Sequence, residues 1–202
     1  VLNKLSIIIP VAEGEQSVQN LLPDLQGASK DIIICSEGTR ALSLNWGAQQ
    51  AQGEFLWFLH ADSRVSQDNL IQLQKQLQRF PQALHYFDLR FDQGVLPRLN
   101  AWGANIRSRL FKAPYGDQGF CIHRDQFKKS GGFAEDVAYA EDLFFVWRAQ
   151  RQGIRLNRIP SKLVTSARKY RQQGWLKLTL TYQKRWLCLT IKHLINKYRS
   201  DH

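Results

Sequence analysis

No methionine occurs at any of the 202 positions, and cysteine is scarce. Cys35, Cys121 and Cys188 stand far apart and form no CxxC pair. That spacing excludes a disulfide framework and a cysteine-based zinc site, and the expected compartment is a reducing one, the cytoplasm. The five histidines, at 60, 85, 123, 193 and 202, show no HxxxH spacing, which leaves a zinc hydrolase unsupported. No apolar run reaches the roughly 18 residues that span a bilayer. The apolar stretch within residues 1–11 is too short for a secretory signal and reads as a first strand. GxGxxG after a strand, GxxxxGK[ST] and GxSxG are all missing, so dinucleotide-binding, P-loop and α/β-hydrolase readings lose their signatures.

Acidic residues vanish from one part of the chain. Residues 143–200 hold 14 Lys+Arg and no Asp or Glu, whereas residues 1–142 hold 14 basic and 16 acidic residues. The net charge of +11 therefore sits on a basic C-terminal part attached to a near-neutral body. Such a stretch implies an anionic partner: nucleic acid, acidic lipid or a phosphorylated substrate. With 44% hydrophobic and 22% charged residues, the chain is neither collagen-like nor disordered and can bury one sizeable core.

Residues 5–11 (LSIIIPV), 31–35 (DIIIC) and 55–59 (FLWFL) are short apolar runs that read as strands buried on both faces. Helical stretches are expected at 16–26, 39–52 and about 66–79, with Thr39 as an N-cap. This β-α-β-α-β-α order predicts an α/β fold with a mainly parallel sheet. Beyond it, residues 85–91 alternate as in a half-solvated strand. Residues 97–112 read as a helix, 113–119 as a polar loop punctuated by glycine, and 120–123 as a short strand. A helical turn at 124–130 ends at Gly131-Gly132. A helix runs from Glu141-Asp142 to about residue 152, and a last long helix covers about 174–198. No repeat or linker interrupts the chain. The expected organisation is one domain over 1–170 with a basic amphipathic helical appendage over 171–202.

Three places could carry chemistry. Asp62 follows the third apolar strand by three residues. Ligands bind at the carboxyl ends of strands in open α/β sheets, and a carboxylate there can hold a divalent cation that neutralises a diphosphate. The alternative is a cap on the helix beginning near Val65. Glu141 and Asp142 open a helix and are the last acids before 58 acid-free residues, a setting that suits a general base as well as a plain helix cap. Residues 115–119 (YGDQG) bracket hydrogen-bonding side chains with two glycines, as a ligand-approaching backbone or a plain turn would.

In order along the chain, these segments resemble the family 2 glycosyltransferases of the GT-A fold. Within that family they most resemble a short bacterial group associated with radical-SAM or selenium genes. The matching pieces are residues 6–11 (SIIIPV), 53–63 (GEFLWFLHADS), 115–119 (YGDQG), 131–133 (GGF), 140–143 (AEDL) and 164–169 (VTSARK). The resemblance implies an α/β/α sandwich. It also implies transfer from a nucleotide-diphosphate sugar to an acceptor hydroxyl, with inversion and a divalent cation, Mn²⁺ or Mg²⁺. His60-Ala61-Asp62 takes the place of the family's DxD-type motif, making Asp62 the principal metal ligand, with His60 in the place of the first acid. Asp142 stands at the general-base position with Glu141 assisting. Pro10, Glu13, Glu15 and Arg40 join Asp62 on the nucleotide-sugar side, and Tyr115, Gly116, Asp117 and Gln118 form the acceptor pocket. Two departures stand out. Residues 12–15 (AEGE) replace the family's Asn-Glu. Residues 34–40 (ICSEGTR) pass straight into a helix, where the family has a longer D-G-S-x-D-type loop. Either the nucleotide pocket is cut down or a loop is missing from this sequence.

The tail carries Leu176, Leu180, Leu187, Ile191, Leu194 and Tyr198 at helical spacing, with Lys177, Lys184, Arg185, Lys192 and Lys197 between them. It reads as a core-packed helix, as an in-plane helix on the anionic inner face of a membrane with Trp175 and Trp186 at headgroup level, or as a homodimer interface. Many family members use lipid-linked or membrane acceptors, which supports the second. A GT-A domain reduced to binding or assembly is an alternative to an enzyme. A nucleic-acid-binding protein is disfavoured because no such motif appears.

Overall fold

The three isoleucines of the first strand are fully buried but point to opposite sides, Ile7 and Ile9 into one apolar cluster and Ile8 into another. A strand buried on both faces needs a layer on each side, and the rest of the chain supplies them. The computed structural model describes residues 2–200, with side chains described through residue 191. In order the elements are β1 (Leu5–Pro10), α1 (Val18–Leu21), β2 (Asp31–Cys35), α2 (Arg40–Gln50), β3 (Phe55–Phe58), β4 (Ser63–Arg64), α3 (Gln67–Arg79) and β5 (Leu84–Phe91). Then come α4 (Val95–Leu110), β6 (Cys121–His123), α5 (Arg124–Ser130), α6 (Glu141–Arg151), β7 (Leu156–Thr165), α7 (Arg168–Gln173) and α8 (Trp175–Ser200). Among the described residues no helix is long and apolar enough to cross a membrane.

The sheet order is β2-β1-β3-β6-β5-β7-β4. β1 lies parallel to β2 and β3, and β5 parallel to β7, while β6 runs antiparallel between β3 and β5. Leu70, Leu73 and Leu77 of α3 cover one face with Trp57 and Phe87. On the other face Leu44 of α2 and Phe145 of α6 pack with Phe58, Phe120, Phe127 and Phe133. This arrangement is the expected α/β/α sandwich.

Several sequence expectations change in detail. The stretch at 16–26 is not one helix: α1 is followed by a 3-10 turn, Leu22–Leu25, with Pro23 near its start. A proline there removes a backbone donor that α-helical continuation would need. β5 is not half-solvated, because all of its residues except Arg90 are buried. Its polar members are paired inside: Asp88 accepts from Arg109 (2.8 Å) and from Arg158, and His85 meets Asn157 (3.0 Å). β7 has no counterpart in the sequence reading. It carries Pro160 beside a register slip, where Phe87 pairs with Ile159 but Asp88 pairs with Lys162. Bulges are where strands tolerate proline. Thr39 caps α2 as expected, accepting from Leu42 N at 3.3 Å. In the tail, Lys192, Leu194, Lys197 and Tyr198 lie outside the residues with described side chains.

Gly53 lies where α2 returns to the sheet. Its N–H donates to Ser6 Oγ at 2.7 Å, and a Cβ there would stand 2.5 Å from Lys4 O and 2.7 Å from Ser6 N. Backbone cannot yield as a side chain can, so Gly53→Ala should cost about 1–3 kcal/mol. Each kcal/mol lowers Tm by about 2–4 °C at this chain length. A thermal melt matching the parent would show that this contact relaxes freely.

Candidate active site

Strand direction decides what meets what. β3, β5 and β7 all point their carboxyl ends to one edge, and β6, being antiparallel, begins there, with Phe58 N donating to Phe120 O at 2.8 Å. Asp62 follows β3, residues 115–119 precede β6, Thr165 ends β7, and the first turn of α6 presents Glu141 and Asp142. All of these except Gln118 and Gly119 border one cleft of about 470 Å³, Gly116 through its bond to Asp142. A cleft at the carboxyl edge of an α/β sheet is where such folds bind ligands.

Asp142 is fixed by backbone donors. Its Oδ2 accepts from Gly116 N at 2.8 Å and its Oδ1 from Leu143 N at 2.8 Å. The α6 N-terminus adds a favourable dipole for the negative charge. A Cβ at Gly116 would come within 2.9 Å of Arg40 Nη2 and 3.3 Å of Asp142 Oδ2, so a side chain there would displace the Arg40 guanidinium. Arg40, first residue of α2, donates from Nη1 to Glu141 Oε1 and shares a hydrogen bond between its Nη2 and His60 Nε2. A guanidinium has no acceptor, so His60 must accept, as a neutral ring protonated on Nδ1. Burial, with Arg40 and Lys169 adding to it, pushes His60 well below the usual histidine range.

Asp62 does not cap α3. Ser66 does, accepting from Asn69 N at 3.2 Å in a capping box. Asp62 Oδ1 instead accepts from Thr165 Oγ1 at 3.2 Å, and burial raises its carboxyl against the opposing influence of Thr165 and Lys169. Asp117 is less well compensated. Its Oδ1 is buried without a hydrogen-bond partner among the described residues, and burial pushes its carboxyl up to about 6, with Arg107 as the main opposing charge.

The expected metal ligands fit in part. His60 is not free to ligate, since its Nε2 is engaged by Arg40. Among the described residues no group of three or more His, Cys, Asp or Glu side chains is placed to hold a metal ion together. Asp62, a half-buried carboxylate with no ion pair among the described residues, suits a hard cation whose remaining ligands come from water and substrate phosphate.

Other expected site residues fall elsewhere. Gln118 does not face the cleft: it accepts from Ser108 Oγ (2.7 Å) and Tyr115 N (3.1 Å) and donates to Phe87 O (2.8 Å), which ties the loop to α4 and β5. Pro10, Glu13 and Glu15 lie outside the cleft lining. The Ser17 and Arg168 hydrogen bonds hold Glu15 down at about 2. The sequence reading missed Arg107, whose guanidinium sits 3.8 Å over the Tyr115 ring, and also Lys169, Tyr170 and the α8 residues Leu178, Tyr182 and Arg185. Lys169 closes the quoted 164–169 segment. The α8 residues share the 178/182/185 spacing of one helix face, so both signals were in the sequence.

A search against protein-family models gave no match, and neither did a search of curated proteins. Solved structures do match. TarS of S. aureus superposes with a TM-score of 0.62 at 14% identity, covering 87% of this chain and 38% of its own. Residues 1–349 of TarS, in complex with UDP-GlcNAc, give 0.61 at 16% identity, covering 81% of this chain and 58% of theirs. The mannosyltransferase PcManGT from Pyrobaculum calidifontis, in complex with GDP-Man and Mn²⁺, gives 0.61 at 15%, covering 80% and 56%. The fold is the GT-A fold. The present chain spans between 38% and 58% of the length of these GT-A chains.

The Asp117 carboxyl generates a pH prediction. Its folded-state value, about 6, lies above the ordinary 3.8, so this stability is present below pH 4 and is lost as pH rises through 6. Asp117→Asn removes that loss. The variant should be more stable than the parent at pH 8 by roughly 1–3 kcal/mol, with the gap closing toward pH 4. Superimposable Tm–pH curves would contradict the burial argument.

Proposed function

We propose that the chain is an inverting glycosyltransferase that moves a sugar from a nucleotide-diphosphate donor to an acceptor hydroxyl. The observation that carries this is Asp142, held by two backbone N–H groups at the carboxyl edge of a GT-A sheet and facing a cleft that also contains Asp62, Arg40 and Lys169. Asp142 takes the acceptor hydroxyl proton as that oxygen attacks the anomeric carbon, and the bond to the diphosphate oxygen breaks on the opposite face. Glu141 acts through Arg40, holding the guanidinium toward the leaving diphosphate, and Lys169 adds a second positive charge on the same wall. Asp62 would hold a divalent cation, Mn²⁺ or Mg²⁺, which when bound neutralises diphosphate charge. Pro10, Glu13 and Glu15, in and just after β1 and outside the lining of the cleft, would meet the nucleotide beyond it. Tyr115, Gly116 and Asp117 border the acceptor side. A membrane-borne acceptor met at the inner, cytoplasmic face suits the basic α8.

The direct link from β2 to α2, residues 36–39, favours a second reading: a GT-A domain with a reduced nucleotide pocket that binds without transferring. A thermal-shift panel of sugar nucleotides with Mn²⁺, Mg²⁺ or chelator separates the two. Metal-dependent stabilisation by one donor, lost in Asp62→Asn, is expected, and no response to any donor would favour the second reading. Asp142→Asn should keep donor affinity while lowering transfer about a hundred- to ten-thousandfold, the usual contribution of a positioned base. Near-normal turnover in that variant would remove Asp142 from the role. Loss of donor binding would reduce it to a helix cap.

A further inference from the structure

α4 presents an apolar stripe to solvent. Val95, Leu99, Trp102, Ile106 and Leu110 recur at i, i+4, i+7, i+11 and i+15, one face of a helix. Val95 is 72% exposed, Trp102 68% and Leu110 71%. The opposite side of α4 is already used, because Ala101 and Ser108 are buried and Asn105 bonds both backbone groups of Leu89. α8 repeats the pattern. Leu178, Tyr182, Arg185 and Leu189 turn to the cleft, while Leu176, Leu180, Leu187 and Ile191 lie on the far face and are exposed. Asn100 donates to Thr179 at 2.8 Å, and Phe111 meets the Trp186 ring at 5.7 Å, so the two helices run side by side.

Charge decides what covers this surface. Residues 93–116 contain no Asp or Glu, nor do residues 143–200, while Arg98 on α4, Lys112 just beyond it, and Lys177 and Lys184 on α8 are exposed. A second copy meeting this face would set cations against cations. A bilayer rich in anionic headgroups offers apolar depth and negative charge together. The geometry points to α4 and α8 forming one two-helix platform that docks on an anionic membrane surface, with α4 as necessary as the basic tail. The same helices wall the cleft with their other faces, through Asn100, Ala104, Arg107 and Tyr182. Docking does not rest on the glycosyltransferase reading.

The test is co-sedimentation of the full chain with vesicles of phosphatidylcholine alone or mixed with phosphatidylglycerol, at low and high salt. Binding should require phosphatidylglycerol and weaken with salt, because screening reaches about 8 Å at physiological ionic strength. Leu99→Glu with Trp102→Glu on α4, and separately Leu180→Glu on α8, should each lower partitioning about ten- to hundredfold. None of these residues lines the cleft, so far-UV circular dichroism and thermal stabilisation by a sugar nucleotide should stay at the parent level. If those stay and vesicle binding is lost, the platform stands whatever the fate of the catalytic reading. Parent-like binding by the α4 pair would overturn it. So would equal binding to both vesicles, no binding to either, or sedimentation-velocity dimers that the α4 pair dissolves while vesicles are ignored.

Discussion

Carboxylates crowd one edge of the sheet, and everything around the cleft answers to that. Asp62, Asp117, Glu141 and Asp142 come to it from separate segments because β3, β6 and α6 all deliver their termini there. Removing such charges from water costs several kcal/mol each unless they are paired. Arg40 offsets part of this by bonding Glu141 and His60 at once, which ties α6 to the segment after β3. Gly116 leaves Arg40 and Asp142 in place where a side chain would press on both. Asp142 is settled by backbone donors, but Asp62 and Asp117 keep raised carboxyls. A site left with that imbalance is less stable than a fully paired one and better prepared for a ligand that brings positive charge.

How much of this could be read in the sequence depends on the range of the interaction. β1, β2 and β3 were legible because continuous apolar runs bounded by turns can be little else at that length. Thr39 was legible because a cap acts over three residues. β5 misled because its Tyr86, Asp88 and Arg90 suggest a wet face. Arg109 of α4 and Arg158 of β7 make the Asp88 position dry, and they come from 21 and 70 residues away. β7 stayed hidden for a related reason: Pro160 argues against a strand unless a bulge in the pairing is already known.

The candidate site divides in the same way. Asp62 and the Glu141–Asp142 pair were visible from their places at element ends, which is local information. Whether Asp62 or Ser66 would cap α3 was also a local question, and the Ser66–Asn69 capping box settles it in favour of Ser66. His60 was ambiguous because its partner, Arg40, stands 20 residues earlier. Gln118 resembled a pocket residue for lack of any hint that Ser108 and Phe87 would satisfy its amide. The contributions of α4 and α8 to the cleft could not be anticipated from composition, which registered the tail as charge rather than as a wall.

Those two helices show why charge alone under-describes the chain. On α8, Leu178, Tyr182, Arg185 and Leu189 share a cleft face while Leu176, Leu180, Leu187 and Ile191 share an exposed one, and on α4 a sheet face stands opposite the exposed Val95, Leu99, Trp102 and Leu110. An exposed apolar stripe on a single helix is tolerable; two adjacent stripes amount to a surface that a monomer in water has reason to cover. Trp102 makes the point sharply, being both the largest side chain of the α4 stripe and 68% exposed. Had the fold used these helices only to close the cleft, polar residues on the outer faces would serve as well and aggregate less. That the outer faces are apolar while their charges are all of one sign is therefore information about surroundings, in the way that Asp142 is information about chemistry.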